Sequence, residues 1–415
     1  MLSPFDIAAI LILIAAVLGY FNHRWLGLPA AVGLTVMGAV ASLVVVGIGA
    51  FFPAIGLTGS VKQFLTAIDF HHTLMDGMLS FLLFAGALHV DWRDLREARW
   101  MTLLLATAGT LLSTVLIGAG FAVIARVFAL PLSPLWCMVF GALISPTDPV
   151  AVIAIMKRVG VSRELEAVIA AESLFNDGIG VVVFTILLAA ASGTGAFAWG
   201  PAALAFLRAA GGGALLGAVI GYTASRAMRS IDVTNVELMI SLAVVMAGYS
   251  AANGLHVSGP VAMAVAGLLI GNTALAQTMS AQTKNYLLTF WALIDEILNA
   301  VLFLLIGLEV IVVVSKPRLL AIGLIAIPLV LLARALSVLG PLALMRQTTI
   351  ALGRLTMPTL VWGGLRGGIA IALALSLPAG PFHAPILAAT FVVVLFSVIV
   401  QGGTISALIA RFQQK

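Results

Sequence analysis

The chain reads ISPTDPV at residues 144–150 and WGGLRGG at residues 362–368, and each stretch interrupts a long apolar run. The two prolines of the first stretch remove backbone donors, and Pro149 also disfavours α geometry at Asp148. Four glycines around Arg366 weaken the helix in the second stretch. Both stretches therefore predict a broken helix with a charge inside it, Asp148 balancing the positive end of a half-helix and Arg366 a negative end.

The composition around these breaks places them in a membrane. Of the 415 residues, 62% are hydrophobic and 9% are charged, whereas soluble domains have about 25% charged residues. A water-soluble fold of this length could not cover so much apolar surface, which excludes soluble enzymes and nucleic-acid-binding proteins. The 21 Lys and Arg residues are scattered and form no basic patch. The single cysteine, Cys137, excludes internal disulfides and cysteine-based metal sites.

The apolar runs predict an all-α polytopic membrane protein. Lipid-facing backbone must be hydrogen-bonded internally, and the runs are too long and non-alternating for barrel strands. At about 20 residues for each crossing, they predict thirteen helices, with approximate spans 4–22, 28–52, 70–90, 101–127, 133–156, 167–192, 200–225, 235–252, 257–275, 286–314, 318–345, 357–378 and 385–412.

Thirteen helices allow two six-helix repeats of opposite orientation, in residues 1–192 and 235–415, joined by a linker helix in residues 193–234. The two breaks then fall at corresponding places, in helices 5 and 12. The linker helix has glycines at positions 213, 217 and 221, spaced for close helix packing. The whole chain is expected to form one transporter domain without a soluble tail domain.

The loop charges predict the orientation of the helices. Loops after odd-numbered helices, together with the C-terminal tail, carry 14 Lys and Arg residues, whereas the opposite side carries four or five. Because cytoplasmic loops are enriched in Lys and Arg, we expect the N-terminus outside and the C-terminus in the cytoplasm, in the cell (inner) membrane.

Five ionisable side chains fall deep inside predicted helices: Asp148, Glu172, Asp177, Arg334 and Arg366. Each costs at least about 2.5–3.5 kcal/mol at the bilayer centre, so the five are expected to pair. Glu172 or Asp148 could pair with Arg366. Three acids against two bases leave one carboxylate without a fixed counter-charge, unless all five form one passive network.

Asp177 is the predicted surplus acid. Ser173 lies one helical turn away on the same face, and Gly178 leaves room beside the carboxylate. Asn176 carries no charge, but its amide could hold a broken backbone in place. Removal from water favours a protonated carboxyl group, and Na⁺ or Li⁺ could replace that proton, since oxygen ligands suit hard cations. A site that holds either a proton or a cation, and opens to one side at a time, predicts an antiporter.

Asp295 and Glu296 are weaker candidates, about a third of the way into predicted helix 10. They could draw cations into a cytoplasmic funnel, or they could be capping or interfacial charges near a helix start. Asn299, one turn further, could be a polar contact between helices.

Several motifs, in the same order along the chain, resemble the monovalent cation:proton antiporter family of the NhaP and NHE type. They are PTDP at 146–149, AESLFNDG at 171–178, SGP at 258–260, LLIGLE at 304–309 and WGGLRG at 362–367. The resemblance implies a Na⁺(Li⁺)/H⁺ antiporter without a cofactor that serves pH homeostasis. It also implies a homodimer, in which a core transport bundle moves like an elevator against a dimerisation bundle.

By this resemblance, the Asn176-Asp177 pair implies electroneutral exchange of one Na⁺ for one H⁺. The implied ion ligands are the backbone of Thr147 and the side chains of Ser173 and Asp177. The implied ion-pair network around the crossed helices comprises Asp148, Glu172, Arg366 and Arg334.

One position departs from the family pattern. Many relatives have an acidic residue in helix 3 after a Leu-Leu-Phe stretch, where this chain has Ala85. The choice between Na⁺ and K⁺ therefore stays open, and a K⁺/H⁺ antiporter of the same family is the alternative.

Two other classes of protein also stay open. An intramembrane aspartyl protease could use Asp148 and Asp177 as two carboxylates that share a proton, although the prolines beside Asp148 and the nearby arginines argue against it. A passive channel would conduct ions without proton coupling.

Overall fold

The structure is a computed structural model that describes residues 4–51, 78–96, 98–148, 152–153, 156, 161–193, 198–277, 279–308 and 317–413. Pro149, which follows the charged position of the first break, and Glu309, which ends the LLIGLE motif, lie outside the described residues. So do residues 70–77 and 310–314, which belong to predicted helices 3 and 10.

Each of the thirteen predicted helices has a counterpart in the structure. They are α1 (Pro4–Phe21), α2 (Ala30–Phe51), α3 (Leu79–Leu88), α4 (Arg99–Val127), α5 (Pro134–Ile144), α6 (Arg163–Ser192), α7 (Trp199–Met228), α8 (Thr234–Gly254), α9 (Gly259–Gln277), α10 (Ala281–Leu308), α11 (Pro317–Leu344), α12 in two halves (α12a, Thr356–Trp362; α12b, Gly368–Leu375) and α13 (His383–Phe412).

Nine of the described helices are long and apolar enough to cross a membrane. Three more, α3, α5 and α9, are shorter apolar helices, and α12 is divided into its two halves. Two short helices, Trp92–Leu95 and Arg346–Leu352, lie in connecting segments, and a π-helical turn, Asn22–Leu26, continues α1. Within the described ranges the one β-type feature is a two-residue backbone bridge, so the all-helical membrane fold is confirmed.

Helix packing follows the predicted repeats. α2 packs on α10, and α3 packs on α9. Counterpart helices of the two repeats differ by seven in number, so α9 corresponds to α2 and α3 corresponds to α10. The second pair is therefore the repeat counterpart of the first. The same shift relates the α5–α6 pair to the α12b–α13 pair, and it maps the α4–α11 pair onto itself. Because seven is odd, helices related in this way cross the membrane in opposite directions. The residue bounds of the repeats stay a prediction.

The linker helix α7 packs closely against α9, as its glycine spacing predicts. A Cβ atom at Gly217 would collide with the backbone of Ala262, and the neighbouring glycines of α7 meet α9 in the same way. The absence of side chains at these positions therefore lets the two backbones approach.

Buried apolar side chains form two main clusters. The larger joins α4, α5, α6, α11, α12b and α13 and also takes in residues of α2, α3, α9 and α10, whereas the smaller joins α3, α7, α8, α9 and α10. The broken helices α5 and α12 belong to the larger cluster, and α3, α9 and α10 connect the two clusters.

Candidate functional site

The two breaks cross each other, and their backbones form a short antiparallel bridge. The backbone N–H of Asp148 donates a hydrogen bond of 2.8 Å to the carbonyl of Leu365. α5 ends at Ile144, two residues before the first proline of its break, and α12b begins at Gly368, the last glycine of the other break. The predicted interruptions of helices 5 and 12 are therefore confirmed, and each supplies backbone partners for the other.

Arg366 holds the end of α5. Its Nη1 atom donates hydrogen bonds to the carbonyls of Ser145 at 2.8 Å and Pro146 at 3.0 Å. Carbonyls at a helix C-terminus carry partial negative charge, so a buried guanidinium here balances the end of the half-helix, as expected from the sequence. Its Nε and Nη2 atoms have no hydrogen-bond partner among the described residues, and Asp177 and Glu172 lie close enough to act on it electrostatically.

A polar chain on α13 holds the backbone around Arg366, and sequence analysis missed it. The backbone N–H of Arg366 donates to Ser397 Oγ at 2.8 Å, and Ser397 Oγ donates to Gln401 Oε1 at 2.8 Å. Gln401 Nε2 then donates to the carbonyl of Trp362 at 3.0 Å. The only sequence signal was an uncharged glutamine within an apolar helix.

Glu172 on α6 forms a buried two-point ion pair with Arg334 on α11. Arg334 Nη1 donates to Glu172 Oε1 at 2.7 Å, and Nη2 donates to Oε2 at 2.9 Å. Arg334 Nε donates to the carbonyl of Leu360 at 3.0 Å, at the end of α12a. The alternative that pairs Glu172 with Arg366 is therefore wrong, because the Arg366 guanidinium is turned to the end of α5.

Asn176 holds the broken backbone of α5 against α6. Its Oδ1 accepts a hydrogen bond of 3.1 Å from the backbone N–H of Thr147, and its Nδ2 donates to Thr147 Oγ1 at 2.8 Å. Nδ2 also donates to Glu172 Oε1 at 3.0 Å. The hydroxyl of Ser173 lies 2.9 Å from that of Thr147. The candidate oxygen ligands of Thr147 and Ser173 are thus fixed by their neighbours before any cation arrives.

Asp177 is the carboxylate without a fixed partner. Its side chain is 6% exposed and forms no hydrogen bond or ion pair within the part of the chain that the structure describes. It lies one turn from Ser173 on α6, and the charges of Asp148, Glu172 and Arg366 are close enough to act on it. Because Glu172 is paired with Arg334, the surplus acid is one of the two aspartates, and its assignment to Asp177 stays a prediction.

A cavity of about 1340 Å³ reaches Asp177. Thr147 and Asp148 line its deep end beside Asp177, and His23, Asp94 and other residues of the connecting segments line its mouth. These segments follow odd-numbered helices, so the cavity opens on the side that the loop charges predict to be cytoplasmic. One helix of its wall is α3, which contributes buried Ala85.

Asp295, Glu296 and Asn299 of α10 also line this cavity, as expected for a funnel. Predicted helix 10 began at residue 286, but α10 begins at Ala281, so Asp295 is the fifteenth of its 28 residues. The alternative of capping charges near a helix start is therefore wrong, because dipole effects fade within the first turn.

The described residues beside Asp177 offer hard oxygen ligands. Within the described ranges, no three His, Cys, Asp or Glu side chains are grouped to hold a metal ion. The deep end of the cavity instead presents carboxylate and hydroxyl oxygens, which suit alkali cations.

Crossed broken helices, a buried carboxylate without a fixed partner and a cavity that reaches it define a secondary transporter. A family model described as "Sodium/hydrogen exchanger, transmembrane" matches residues 12–411, and the chain belongs to this family.

Named relatives cover nearly the whole chain. The Na(+)/H(+) antiporter NhaP of Pseudomonas aeruginosa is 43% identical over 411 residues, which are 98% of this chain and 96% of the relative. The Na(+)/H(+) antiporter NhaH of Halobacillus dabanensis is 35% identical over 378 residues, with 89% of this chain and 91% of the relative covered.

The fold is also similar to a solved structure. The sodium proton antiporter MjNhaP1 of Methanocaldococcus jannaschii superposes with a TM-score of 0.74 at 22% identity, and the match covers 98% of each chain. This likeness supports the all-helical membrane fold independently of the sequence pattern.

Proposed function

We propose that this protein is a Na⁺(Li⁺)/H⁺ antiporter in which Asp177 binds either the cation or the proton. The observation that carries this proposal is the position of Asp177, a buried carboxylate without a fixed partner at the deep end of an open cavity. The names of the relatives support the same exchange reaction.

The cation ligands that we propose are Asp177 with Ser173 and Thr147. Ser173 shares a face of α6 with Asp177, and its hydroxyl contacts that of Thr147. Asn176 keeps Thr147 in place through two hydrogen bonds. A cation that replaces the proton on Asp177 would therefore meet oxygen atoms that are already positioned.

Exchange of one cation for one proton follows from a single exchanging carboxylate. Glu172 is held in an ion pair with Arg334, and Asn176 carries no charge. A site that binds one Na⁺ or one H⁺ on one aspartate moves one charge in each direction, so exchange is electroneutral and does not respond to the membrane potential.

The cavity and the loop charges support inward-open access in the cell (inner) membrane. The N-terminus would lie outside and the C-terminus in the cytoplasm. In this arrangement the bundle with α5, α6 and α12 carries the site, and the smaller cluster with α7 and α8 contributes the dimer contact of a homodimer. Opening to the other side requires these bundles to shift against each other.

Cation choice is the second point to test. K⁺/H⁺ exchange uses the same site chemistry, and the cavity wall has alanine at position 85 instead of an acid. The aspartyl protease has less support, because the family to which the chain belongs consists of exchangers.

The experiment is proton exchange in proteoliposomes. Addition of Na⁺ should dissipate an imposed pH gradient in the wild type, and Li⁺ and K⁺ are compared in parallel. Asp177→Asn should abolish the exchange. Asp94→Asn, which removes one carboxylate at the cavity mouth, is the matched control and should keep it. Full exchange by Asp177→Asn would overturn the proposal.

A further inference from the structure

The side chains of α10 that face the cavity form one stripe, and its polar members lie at the middle of the helix. Ala292, Asp295, Asn299 and Phe303 recur at spacings of three and four residues, and all line the cavity. Asp295 is the fifteenth of 28 residues. A carboxylate midway along a spanning helix is costly in lipid, and this one is tolerated because it faces a cavity.

The buried amide of Asn299 is a second, independent observation that indicates a ligand at this stripe. The side chain of Asn299 is only 7% exposed, and its Nδ2 atom has no partner at hydrogen-bond geometry among the described residues, although it lies close enough to Asp295 to act on that carboxylate. Asparagine amides in such buried positions are normally satisfied. Asn299 lies one helical turn from Asp295, so its amide can orient that carboxylate, and its carbonyl oxygen can add a ligand.

The charges of the cavity favour a cation. Among its described lining residues, the one lysine or arginine is Arg163 at the mouth. The same lining includes seven acids: Asp91, Asp94, Asp148, Glu166, Asp177, Asp295 and Glu296. Such a concave acidic surface concentrates cations.

The position of Asp148 connects the α10 stripe to the deep end of the cavity. It lies close enough to act electrostatically on both Asp295 and Asp177. Asp295 is half-buried, whereas Asp177 is buried, so a cation that enters from the mouth meets Asp295 at a shallower level.

We propose that Asp295 and Asn299 form a second cation-binding station, between the cavity mouth and Asp177. It takes a monovalent alkali cation that keeps part of its water shell, since the cavity is far larger than the volume of about 30 Å³ that one water molecule occupies in the liquid. The station raises the occupancy of Asp177 but does not carry the ion across. This inference rests on the proposed antiport function.

The test compares Asp295→Asn with Glu296→Gln, its exposed neighbour, in proteoliposomes. Asp295→Asn should raise the KM for Na⁺ by at least about tenfold with little change in the maximal rate. Glu296→Gln removes the same charge and should change KM much less. Asp295→Glu should recover most of the affinity, and Asn299→Ala should raise KM in the same direction as Asp295→Asn.

A measurement of Na⁺ binding distinguishes a failure of the second cation-binding station from a failure of the proposed antiport function. Stabilisation of the purified protein against heat by NaCl, with choline chloride as the ionic-strength control, should need higher Na⁺ in Asp295→Asn. A wild type without cation-dependent proton exchange would overturn the proposed function. Given an active wild type, three results would each overturn the station: an unchanged KM and Na⁺ stabilisation in Asp295→Asn, an equal rise of KM in Glu296→Gln, or complete loss of exchange in a stably folded Asp295→Asn.

Discussion

Arg334→Met removes one side of the buried ion pair between α6 and α11. The variant loses two charge-assisted hydrogen bonds, of 2.7 and 2.9 Å, and the donor to the Leu360 carbonyl. Glu172 keeps only the hydrogen bond from Asn176. Two charge-assisted bonds contribute about 1.5–3 kcal/mol each, and leaving one partner of a buried pair costs about 3–5 kcal/mol. We expect the free energy of unfolding to fall by about 3–5 kcal/mol.

The double variant Glu172→Gln/Arg334→Met measures the interaction energy between the two side chains separately from their contacts with other residues. Glutamine keeps an acceptor for Asn176 but leaves no buried charge, so the double variant should be more stable than Arg334→Met by about 2–3 kcal/mol. Arg346→Met, at an exposed position of the connecting helix Arg346–Leu352, is the control and should stay within about 0.5 kcal/mol of the wild type.

The measurement is unfolding of the purified protein by SDS in mixed detergent micelles, followed by far-UV circular dichroism. Two results would refute the reasoning. One is a stability of Arg334→Met within about 0.5 kcal/mol of the wild type. The other is a double variant whose loss equals the sum of the single losses, because additivity would mean that the two side chains do not interact.

Three further outcomes follow from other contacts. Gly217→Ala should lower the free energy of unfolding by about 1–3 kcal/mol because its Cβ would collide with the α9 backbone. The control is Gly47→Ala, where no atom lies within 4 Å of the added Cβ. It should be neutral or stabilising in the same SDS titration. Asn176→Ala should lower both the stability, by about 1–3 kcal/mol, and the maximal exchange rate; an unchanged rate would contradict its role in holding the α5 break. Gln401→Ala should slow exchange by loosening the α12 break, while Ser406→Ala, at an exposed position of the same helix, should leave the rate unchanged.

The sequence predicted the helices well because their signal is local. Runs of apolar residues of membrane length need no knowledge of the rest of the chain, and each of the thirteen has its counterpart. The breaks were equally local, since proline and glycine act on their own backbone. The crossing of the two breaks, which the Asp148–Leu365 bridge forms, came only from the resemblance to the antiporter family.

The partners of the charges could not be predicted in the same way. Glu172 and Arg334 are 162 positions apart, and only the packing of α11 beside α6 and α12a decides which arginine Glu172 meets. Counting acids and bases, which requires no geometry, predicts one surplus acid, and the choice of Asp177 rests on its neighbours Ser173 and Gly178 in the sequence. The ligand roles of Thr147, Ser173 and Asp177 stay predictions.

The role of an uncharged polar residue such as Gln401 could not be predicted from the sequence, because it depends on a contact with a distant residue. Gln401 lies in an apolar helix and looks unremarkable until its amide is seen to reach Trp362. The sequence places Asp295 about a third of the way into helix 10 because it assigns residues 281–285 to a loop, whereas α10 includes them. With those five residues Asp295 is the fifteenth of the 28 residues of α10.

The separation of Glu172 from Arg334 along the chain also affects how the protein is made. α6 leaves the ribosome 162 residues before Arg334, which at 5–20 residues per second is a delay of roughly 8–32 s. During that interval the carboxylate has no arginine to meet, so α6 cannot settle in lipid in its final, fully charged form. The first six helices therefore reach their final packing only after translation of α11, when Arg334 can form its ion pair with Glu172.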